Sequence, residues 1–539
     1  MIYGENTVPI EVNKGLWLTQ NSDTIPDGFC QEFKNLTVDV DGGVSLRGDL
    51  VALTPSAAAA TLAVINHGDY RTPPPAYYFQ GINYNAFYFA NTVTRFPSVL
   101  TFYCDGVNIN AYWVTGSADN PANRVSFQTQ SFVLAGYVAD ACVYNEVYFA
   151  LSTGAIYKLT GWTNVSTAIP ALTATSVGST GAGVHTLLSF QDRLFAFTAS
   201  SIYFTELAPV GGSPEVWTST NKINLGVTQK FGDCTSAIVL NNRIYIFTKA
   251  GAYVLYAKGD PTTWELQSIS TDIRVPNKCS VAVVKNTLIW TDTTGIYAFD
   301  GVNSTSIGQP IDSILGDYNA ASVFPFEDGF LVTLSAYTAD YNSGWTLSSS
   351  RMFYCDMNTW MELEVDAAEQ GFGAARGVVL GTPRISSSMD IAKPRSFLVR
   401  IENSGSTYKI VTYHYTPEKN SLAKTGSLTT KDIKLNTTLV KRFIQGFLSY
   451  FTRVSSVSYQ TKVDGGALSG TTVVTVTGAA DNSGMVKIGA PQFLRRFAAR
   501  FLVSITTDSG RPTGPMFTFK ELYMVGQTDG PRELDTTNG

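Results

Sequence analysis

The fold is decided by the stretch VYNEVYFALSTGAIYKL at residues 143–159. The same layout returns as FQDRLFAFTASSIYF at 190–204, LNNRIYIFTKAGAYVL at 240–255 and VKNTLIWTDTTGIYAF at 284–299. Each copy has a two-residue polar turn, a strand of alternating apolar and aromatic residues, a second turn, and a strand that contains a tyrosine. Such alternation is typical of antiparallel strands. The copies therefore predict a repeated β-hairpin.

Aligned tyrosines set the period of this repeat. Weaker copies lie at residues 101–108 (TFYCDGVN) and 351–359 (RMFYCDMNT). The six aligned tyrosines are 44 to 57 residues apart: Tyr103, Tyr157, Tyr203, Tyr253, Tyr297 and Tyr354. Each interval has room for about four short strands, as a propeller blade requires. The repeat predicts an all-β chain built on a β-propeller of about six blades; a stack of β-sandwich domains is the alternative.

Turn residues mark the ends of the predicted strands. The first turns of the four strong copies are Asn145-Glu146, Gln191-Asp192, Asn241-Asn242 and Lys285-Asn286. The second turn carries Gly154, Gly251 or Gly295, because glycine adopts a positive φ at the lowest cost. The run PIDSIL at 310–315 predicts one short helix that connects two blades.

The character of the chain changes near residue 425. A polar, turn-rich segment at 421–431 is followed by partly alternating strands at 471–478, 493–505 and 516–525. Residues 431–539 carry a net charge of +5, and the rest of the chain carries −10. We predict three segments: an extended N-terminal arm with the first strands at 1–50, the propeller at 51–425, and a β-sandwich-like domain at 426–539.

Composition narrows the classes of function. The 539 residues carry a net charge of −5, which does not favour a protein whose whole surface grips nucleic acid. Charged residues make up 15% and aromatic residues 12%, which excludes a disordered chain. The mean hydropathy of +0.03 is high for a soluble monomer and favours a surface buried against other chains. The six cysteines contain no CxxC pair and are predicted to be buried thiols of a protein made in a reducing cytoplasm.

Signals of catalysis are weak. The three histidines, His67, His185 and His414, are scattered, and no Gly-x-Ser-x-Gly motif occurs. The glycine-rich run at 178–183 lacks the Lys-Ser/Thr of a phosphate-binding loop. We therefore predict that the protein is not an enzyme and has no catalytic residue, metal site or cofactor. The alternative is a propeller that binds or cleaves polysaccharide at a host surface, with two carboxylates converging in a central funnel.

Motifs in three parts of the chain resemble one family. They are GLWLTQNSDTIPDGFCQEFKNLTVDVDGGVSLRG at 15–48, RVPNKCS at 274–280, and the pair KRF at 441–443 and RRF at 495–497. In this order they resemble the tail nozzle proteins of short-tailed bacteriophages, also called packaged-DNA stabilisation or tail tubular proteins.

The resemblance implies a structural virion protein in the phage tail, made in the cytoplasm of the bacterial host. Such proteins form a homo-oligomeric ring, usually a hexamer, which binds an adaptor ring and tail fibres or spikes. The ring extends the DNA channel, retains the packaged genome and lets it pass at ejection. We expect transient, non-specific contact with double-stranded DNA and no membrane span. A monomeric β scaffold of cellular origin is a further alternative.

Basic residues of the last segment are the candidates for contact with DNA. Arg495, Arg496 and Arg500 form the densest cluster, and Lys441 and Arg442 belong to a second one. A channel that must release its genome favours few such contacts, because every neutralised phosphate strengthens binding. We predict that these five residues face nucleic acid; a solvated or subunit-contact face is the alternative.

Overall fold

A computed structural model describes most of the chain. The described residues are 6–9, 12–19, 24–38, 43–52, 61–62, 85–90, 97–104, 109–115, 126–136, 138–160, 172–225, 232–248, 250–270, 273–276, 278–292, 294–301, 303–318, 320–340, 344–366, 369–370, 376–381, 384–385, 397–404, 407–416, 422, 424–432, 441–452, 456–463, 467–469, 471–475, 482–488, 492–494, 497–505 and 517–528.

Antiparallel four-stranded units, numbered here as sheets 1 to 7, make up the main part of the described residues. Sheet 1 consists of Asn85–Ala90, Pro97–Cys104, Ile109–Thr115 and Ser126–Phe132, and Arg384–Ile385 pairs with its first strand. Sheet 2 consists of Val138–Tyr144, Glu146–Leu151, Ala155–Thr160 and Thr173–Ser179. Sheet 3 consists of Val184–Phe190, Arg193–Thr198, Ser201–Thr205 and Trp217–Asn224. Sheet 4 consists of Cys234–Leu240, Arg243–Thr248, Ala252–Tyr256 and Glu265–Ser270.

The remaining units follow along the chain. Sheet 5 consists of Val281–Val284, Thr287–Thr291, Ile296–Phe299 and Ser304–Ser306. Sheet 6 begins with Ala320–Phe326, Gly329–Asp340, Gly344–Cys355 and Trp360–Glu362. Sheet 7 consists of Arg376–Gly381, Phe397–Ser404, Thr407–Thr416 and Asp49–Ala52, with Thr61–Leu62 against its third strand. Short 3-10 helices span Pro261–Thr263 and Lys278–Ser280, and the predicted connector helix is confirmed as one turn at Asp312–Leu315.

Packing of successive sheets confirms the propeller class. The first strands of sheets 2 to 6 contact one another in chain order. The second strands are apolar on both faces because each sheet lies between two neighbours. In sheet 3, Leu194 and Ala196 pack towards sheet 2, and Phe195 and Phe197 pack towards sheet 4. In this arrangement each sheet covers its neighbour, as in a propeller and unlike separate sandwich domains.

Sheet 7 is the unit that the repeat does not reveal. Its first three strands lie at 376–416, but its fourth strand, Asp49–Ala52, precedes sheet 1 in the chain. The six aligned tyrosines mark sheets 1 to 6 only. The described residues contain seven four-stranded units, whereas the sequence predicts about six blades. The number of blades therefore stays a prediction.

The polar turns predicted from the sequence are confirmed. Positive φ angles occur at both residues of the turns Gln191-Asp192, Asn241-Asn242 and Lys285-Asn286, and at Asn145. This backbone conformation is the one that two-residue hairpin loops need. A fifth turn of this kind begins at Glu327, where the sequence analysis did not place one.

Two details of the predicted repeat are wrong. Tyr103 lies in the second strand of sheet 1, whereas the other five aligned tyrosines lie in third strands. Gly154 has a φ of +94°, as predicted, but Gly295 has no positive φ. A Cβ at Gly295 would lie 2.8 Å from the Tyr297 hydroxyl, so close approach explains the glycine there.

Two sheets, called here the C-terminal sheets, combine strands from the N-terminal and C-terminal parts of the chain. Sheet 6 continues through Gly15–Leu16 and Phe29–Lys34 into Lys424–Thr430, Phe497–Ile505, Ser456–Val463 and Thr472–Thr475. A second sheet orders Leu36–Val38, Val44–Leu46, Phe517–Thr528, Lys441–Thr452 and Asn482–Ile488, with Asn6–Pro9 and Gln492–Leu494 at its sides. The predicted arm is therefore incorporated into sheets, and strand pairing crosses the predicted boundary near residue 425.

The two C-terminal sheets share a core. Leu36 and Leu46 of one sheet belong to the same hydrophobic cluster as Leu428 and Phe501 of the other. A Cβ at Gly426 would lie 2.5 Å from a Leu46 methyl group, so the sheets approach closely at this glycine. Apolar side chains between two facing sheets are what a sandwich buries.

We expect Gly154→Ala to lower the free energy of unfolding by about 1–3 kcal/mol. Alanine resists a φ of +94°, and its Cβ would lie 2.4 Å from the Ala182 carbonyl oxygen. Gly181→Ala, in the connection between sheets 2 and 3, is the matched control, because Gly181 also has a positive φ but no atom within 4 Å of the added Cβ. Urea unfolding of both variants measures the difference; equal losses would show that φ alone, without the close approach, determines the cost.

Candidate functional site at the propeller axis

A ring of buried polar residues surrounds the axis. In each of sheets 2 to 6, a polar residue lies five positions before the polar turn. It belongs to the first strand of the sheet or directly precedes that strand. These residues are Asp140, Thr186, Ser236, Ser280 and Ser322, and all are at most 3% exposed. The sequence analysis did not identify this ring, although its constant offset from the turns was available as a signal.

Lys278 crosses the axis to one member of the ring. Its ammonium group lies 2.7 Å from an Asp140 carboxylate oxygen and donates to the Ala139 carbonyl oxygen at 3.0 Å. Lys278 precedes sheet 5 and Asp140 belongs to sheet 2, so sheets 3 and 4 lie between them. The side chains of the ion pair are only 4% and 0% exposed. The pair therefore bridges the inner parts of sheets 2 and 5 across the axis.

Asp140 also joins neighbouring sheets. One carboxylate oxygen accepts a hydrogen bond from the Leu187 backbone amide of sheet 3 at 2.8 Å, and the other accepts from the Ala141 amide at 2.8 Å. Ser280 makes a similar link, because its hydroxyl donates to the Ala321 carbonyl oxygen of sheet 6 at 3.1 Å. Asp140 and Ser280 therefore fasten neighbouring sheets to each other, and the Lys278–Asp140 ion pair joins sheets 2 and 5.

A second buried ion pair lies where the N-terminal strands meet the propeller. Arg47 and Glu369 are paired in a two-pronged contact at 2.8 and 2.5 Å, and both side chains are fully buried. Arg47 also donates to the Asn35 side-chain oxygen at 2.9 Å and to the Glu364 carbonyl oxygen at 2.5 Å. Although burial opposes it, the Arg47 guanidinium holds the pKa of the Glu369 carboxyl below its usual value.

Asp49 and Lys424 form a further buried pair beside it. Burial, with the neighbouring Arg47 charge, lowers the pKa of Lys424 to about 8. Asp49 begins the fourth strand of sheet 7, and Lys424 begins the C-terminal strands. The two pairs therefore tie sheet 7, the N-terminal strands and the C-terminal sheets to one another.

The predicted DNA-facing residues are only partly described. The Arg500 guanidinium lies 2.9 Å from a Glu32 carboxylate oxygen, so its charge is balanced within the chain. Lys441 and Arg442 lie in the strand Lys441–Thr452. Arg495 and Arg496 lie outside the described residues. For all five, contact with nucleic acid stays a prediction.

The cysteines, possible metal ligands and possible membrane-spanning helices were also subjects of prediction. Cys30, Cys234 and Cys355 are buried thiols, as the sequence predicted. No group of three or more histidine, cysteine, aspartate or glutamate side chains that could hold a metal occurs within the part of the chain that the structure describes. Among the same residues no helix has the length and apolarity to cross a membrane.

One exposed apolar loop lies on the polar-turn side of sheet 3. The loop at 206–216 presents Leu207, Val210 and Val216, which are 58%, 108% and 58% exposed. Its base is held in place, because Glu215 accepts from the Tyr148 hydroxyl at 2.8 Å and pairs with Lys158 of sheet 2 at 2.7 Å. The loop is therefore an apolar surface on a fixed support.

Comparisons with known proteins find distant structural likenesses only. No protein-family model and no curated protein matches the chain. The chain is similar to the Pan2 WD40 domain of Neurospora crassa, with 12% identity over 53% of this chain and 91% of that one, and a TM-score of 0.31. It is also similar to an exo-beta-1,3-galactanase of Phanerochaete chrysosporium, with 10% identity over 86% and 100% and a TM-score of 0.27.

A third likeness is to a mutant Trypanosoma rangeli sialidase, with 8% identity over 89% of this chain and 97% of that one, and a TM-score of 0.26. These neighbours include propeller-fold glycosidases. At such identities and TM-scores they carry no argument about activity, and the fold class rests on the chain's own sheets.

Proposed function

We propose that the protein is a structural subunit of a homo-oligomeric ring, the tail nozzle of a short-tailed phage. The observation that carries the proposal is the exposed apolar loop at 206–216. Large apolar side chains on a rigid support favour a protein contact, because their exposure to water is unfavourable. Head-to-tail contacts between copies close into a ring when the rotation between them allows it.

An ion pair across the axis supports a structural role over an axial active site. The buried Lys278–Asp140 pair joins sheets 2 and 5 across the axis, whereas a polysaccharide-cleaving propeller would need an open central funnel. In a nozzle, the DNA channel would then run between the copies of the ring, not through each propeller. The two buried ion pairs that tie sheet 7, the N-terminal strands and the C-terminal sheets together suit a subunit that must retain a packaged genome.

We expect the double variant Leu207→Asp, Val210→Asp to weaken ring assembly about 100-fold or more, because charges would replace the apolar centre of the contact. Light scattering and negative-stain imaging measure assembly, with six copies of the 58.4 kDa chain giving about 350 kDa. Val133→Asp is the matched control, because Val133 is 85% exposed but lies outside the loop. Thermal unfolding should be unchanged in both variants.

Two results would contradict the proposal. One is a wild-type chain that stays monomeric at high concentration and does not join the other tail proteins. The other is a loop variant that assembles like the wild type. In either case, a screen for polysaccharide binding becomes the next experiment.

A further inference from the structure

The seam between sheets 6 and 7 is lined by polar side chains that lack partners. On sheet 6, the hydroxyl oxygens of Ser322, Thr333 and Ser335 are buried and have no hydrogen-bond partner among the described residues. On sheet 7, the Glu402 side chain is fully buried, and its Oε2 atom also has no partner there. Buried polar atoms are almost always hydrogen-bonded in folded proteins, if not to protein then to bound molecules.

Strand register places three of these atoms on one face of sheet 6. Ser322 pairs with Thr333, and Ala320 pairs with Ser335, so the three hydroxyls share a face. Phe326 is on that same face, because it follows Ser322 by four residues. The opposite face of sheet 6 carries the apolar side chains of Val323 and Val332.

The corresponding face of sheet 7 meets this surface. Tyr415 packs against Phe326 with ring centroids 5.5 Å apart. Tyr413 shares a face with Tyr415, and its hydroxyl donates to Glu402 Oε1. The strands Ala320–Phe326 and Thr407–Thr416 both run towards the Phe326–Tyr415 contact. Ser322 precedes Phe326 by four residues, and Lys409, the partner of Glu402, precedes Tyr415 by six. Glu402 therefore lies about as far from this contact as the sheet 6 hydroxyls do.

Charge at the seam is already balanced. Arg400 donates to Glu402 Oε1 at 3.2 Å and is itself only 11% exposed. Burial raises the pKa of the Glu402 carboxyl, although the Arg400 charge and the Tyr413 hydroxyl oppose this rise. A cation or anion would therefore be poorly matched here, whereas a neutral donor and acceptor of hydrogen bonds fits all four unpartnered atoms.

We infer that the seam between sheets 6 and 7 is a buried binding site for small neutral hydroxyl-bearing molecules, either ordered waters or a polyol. The three hydroxyls of sheet 6 and Glu402 Oε2 are its hydrogen-bonding groups. Glu402 pairs with Gly377 of the strand Arg376–Gly381, so the position beside Glu402 carries no side chain.

Substitution by apolar residues of similar size tests the site. Thr333→Val and Ser335→Ala should each lower the melting temperature by about 1–3 °C, because each removes a hydrogen bond to the bound molecule. Thr198→Val is the buried control with known partners, since Thr198 bonds to Ser201 at 3.0 and 3.1 Å. Thr305→Val, on an exposed strand, should cause no change.

The opposite result overturns the inference. If the seam is dry, these hydroxyls are unpaired, and replacing them with apolar groups should leave the melting temperature unchanged or raise it. Should a variant not fold, a crystal structure of the wild type at a resolution that shows waters decides the same question. Density at the seam supports the site, and an empty seam overturns it.

Measuring the melting temperature during titration with glycerol or glucose distinguishes a bound polyol from ordered waters at the seam. A polyol site predicts a melting temperature that rises and saturates in the wild type, and a loss of that saturation in Thr333→Val. General stabilisation by osmolytes does not saturate and affects all variants alike. A fall in the melting temperature of the variants without a saturable response assigns the site to water.

Discussion

Glu369→Gln should lower the free energy of unfolding by about 3–5 kcal/mol, one of the two largest effects we expect from a single substitution. The change leaves the Arg47 guanidinium fully buried without its balancing charge. It also weakens the acceptance of hydrogen bonds from the Leu50 amide at 2.9 Å and the Asp366 amide at 3.2 Å. Urea unfolding, monitored by the midpoint and the slope of the transition, measures the loss.

Glu364→Gln is the control for this prediction. Glu364 lies five residues away and pairs with Lys34, but its side chain is 51% exposed. Exposed pairs contribute about 0–1 kcal/mol, so the control should unfold almost as the wild type does. Equal losses in the two variants would contradict the expectation that burial makes the Arg47–Glu369 pair contribute more to the free energy of unfolding than an exposed pair does.

The same pair has a predictable pH dependence. The pKa of Glu369 is lowered in the folded state, so the folded chain binds fewer protons at this residue than the unfolded chain does. Its stabilising contribution is present above the unfolded pKa of about 4.3 and is lost as the pH falls through the lower folded pKa. The difference between wild type and Glu369→Gln should therefore shrink on acidification below that value.

Lys278→Met should also lower the free energy of unfolding by about 3–5 kcal/mol. Asp140 would remain buried at the axis without a cation, while its links to Ala141 and Leu187 stay in place. Lys158→Met is the matched control, because its pair with Glu215 is 24% and 32% exposed. We expect a loss of less than about 1 kcal/mol for the control.

A double-mutant cycle isolates the central pair. Lys278→Met combined with Asp140→Asn should lose less than the sum of the single losses, with a coupling of about 1–3 kcal/mol. Additive losses would mean that the two side chains do not interact across the axis, and the pair would then no longer support a structural role.

Local chemistry accounts for the features that the sequence predicted well. Polar pairs such as Asn241-Asn242 adopt positive φ at low cost, so they mark a hairpin wherever apolar strands flank them. Alternation around Tyr157, Tyr203 and Tyr253 places these side chains at half-buried positions, while Ile156, Ile202 and Ala252 before them are fully buried. A few neighbouring residues contain this information.

The candidate site depends on contacts that no short stretch of sequence encodes. The Arg47–Glu369 pair spans 322 residues and the Lys278–Asp140 pair spans 138. Any of the chain's many lysines and acidic residues was an equal candidate for such a pair. Arg500 illustrates the same limit, because its charge suggested DNA while its neighbour in the fold is Glu32.

The sequence by itself determined the all-β class, the repeated hairpin and the turns between its strands, because those follow from side-chain periodicity and backbone preference within a few residues. Only the tertiary structure decided which distant strands complete sheet 7, which charges are buried together, and that an ion pair joins sheets 2 and 5. These features arise when segments far apart in the chain exclude water between them, and burial is what makes the loss of either partner of such an ion pair costly.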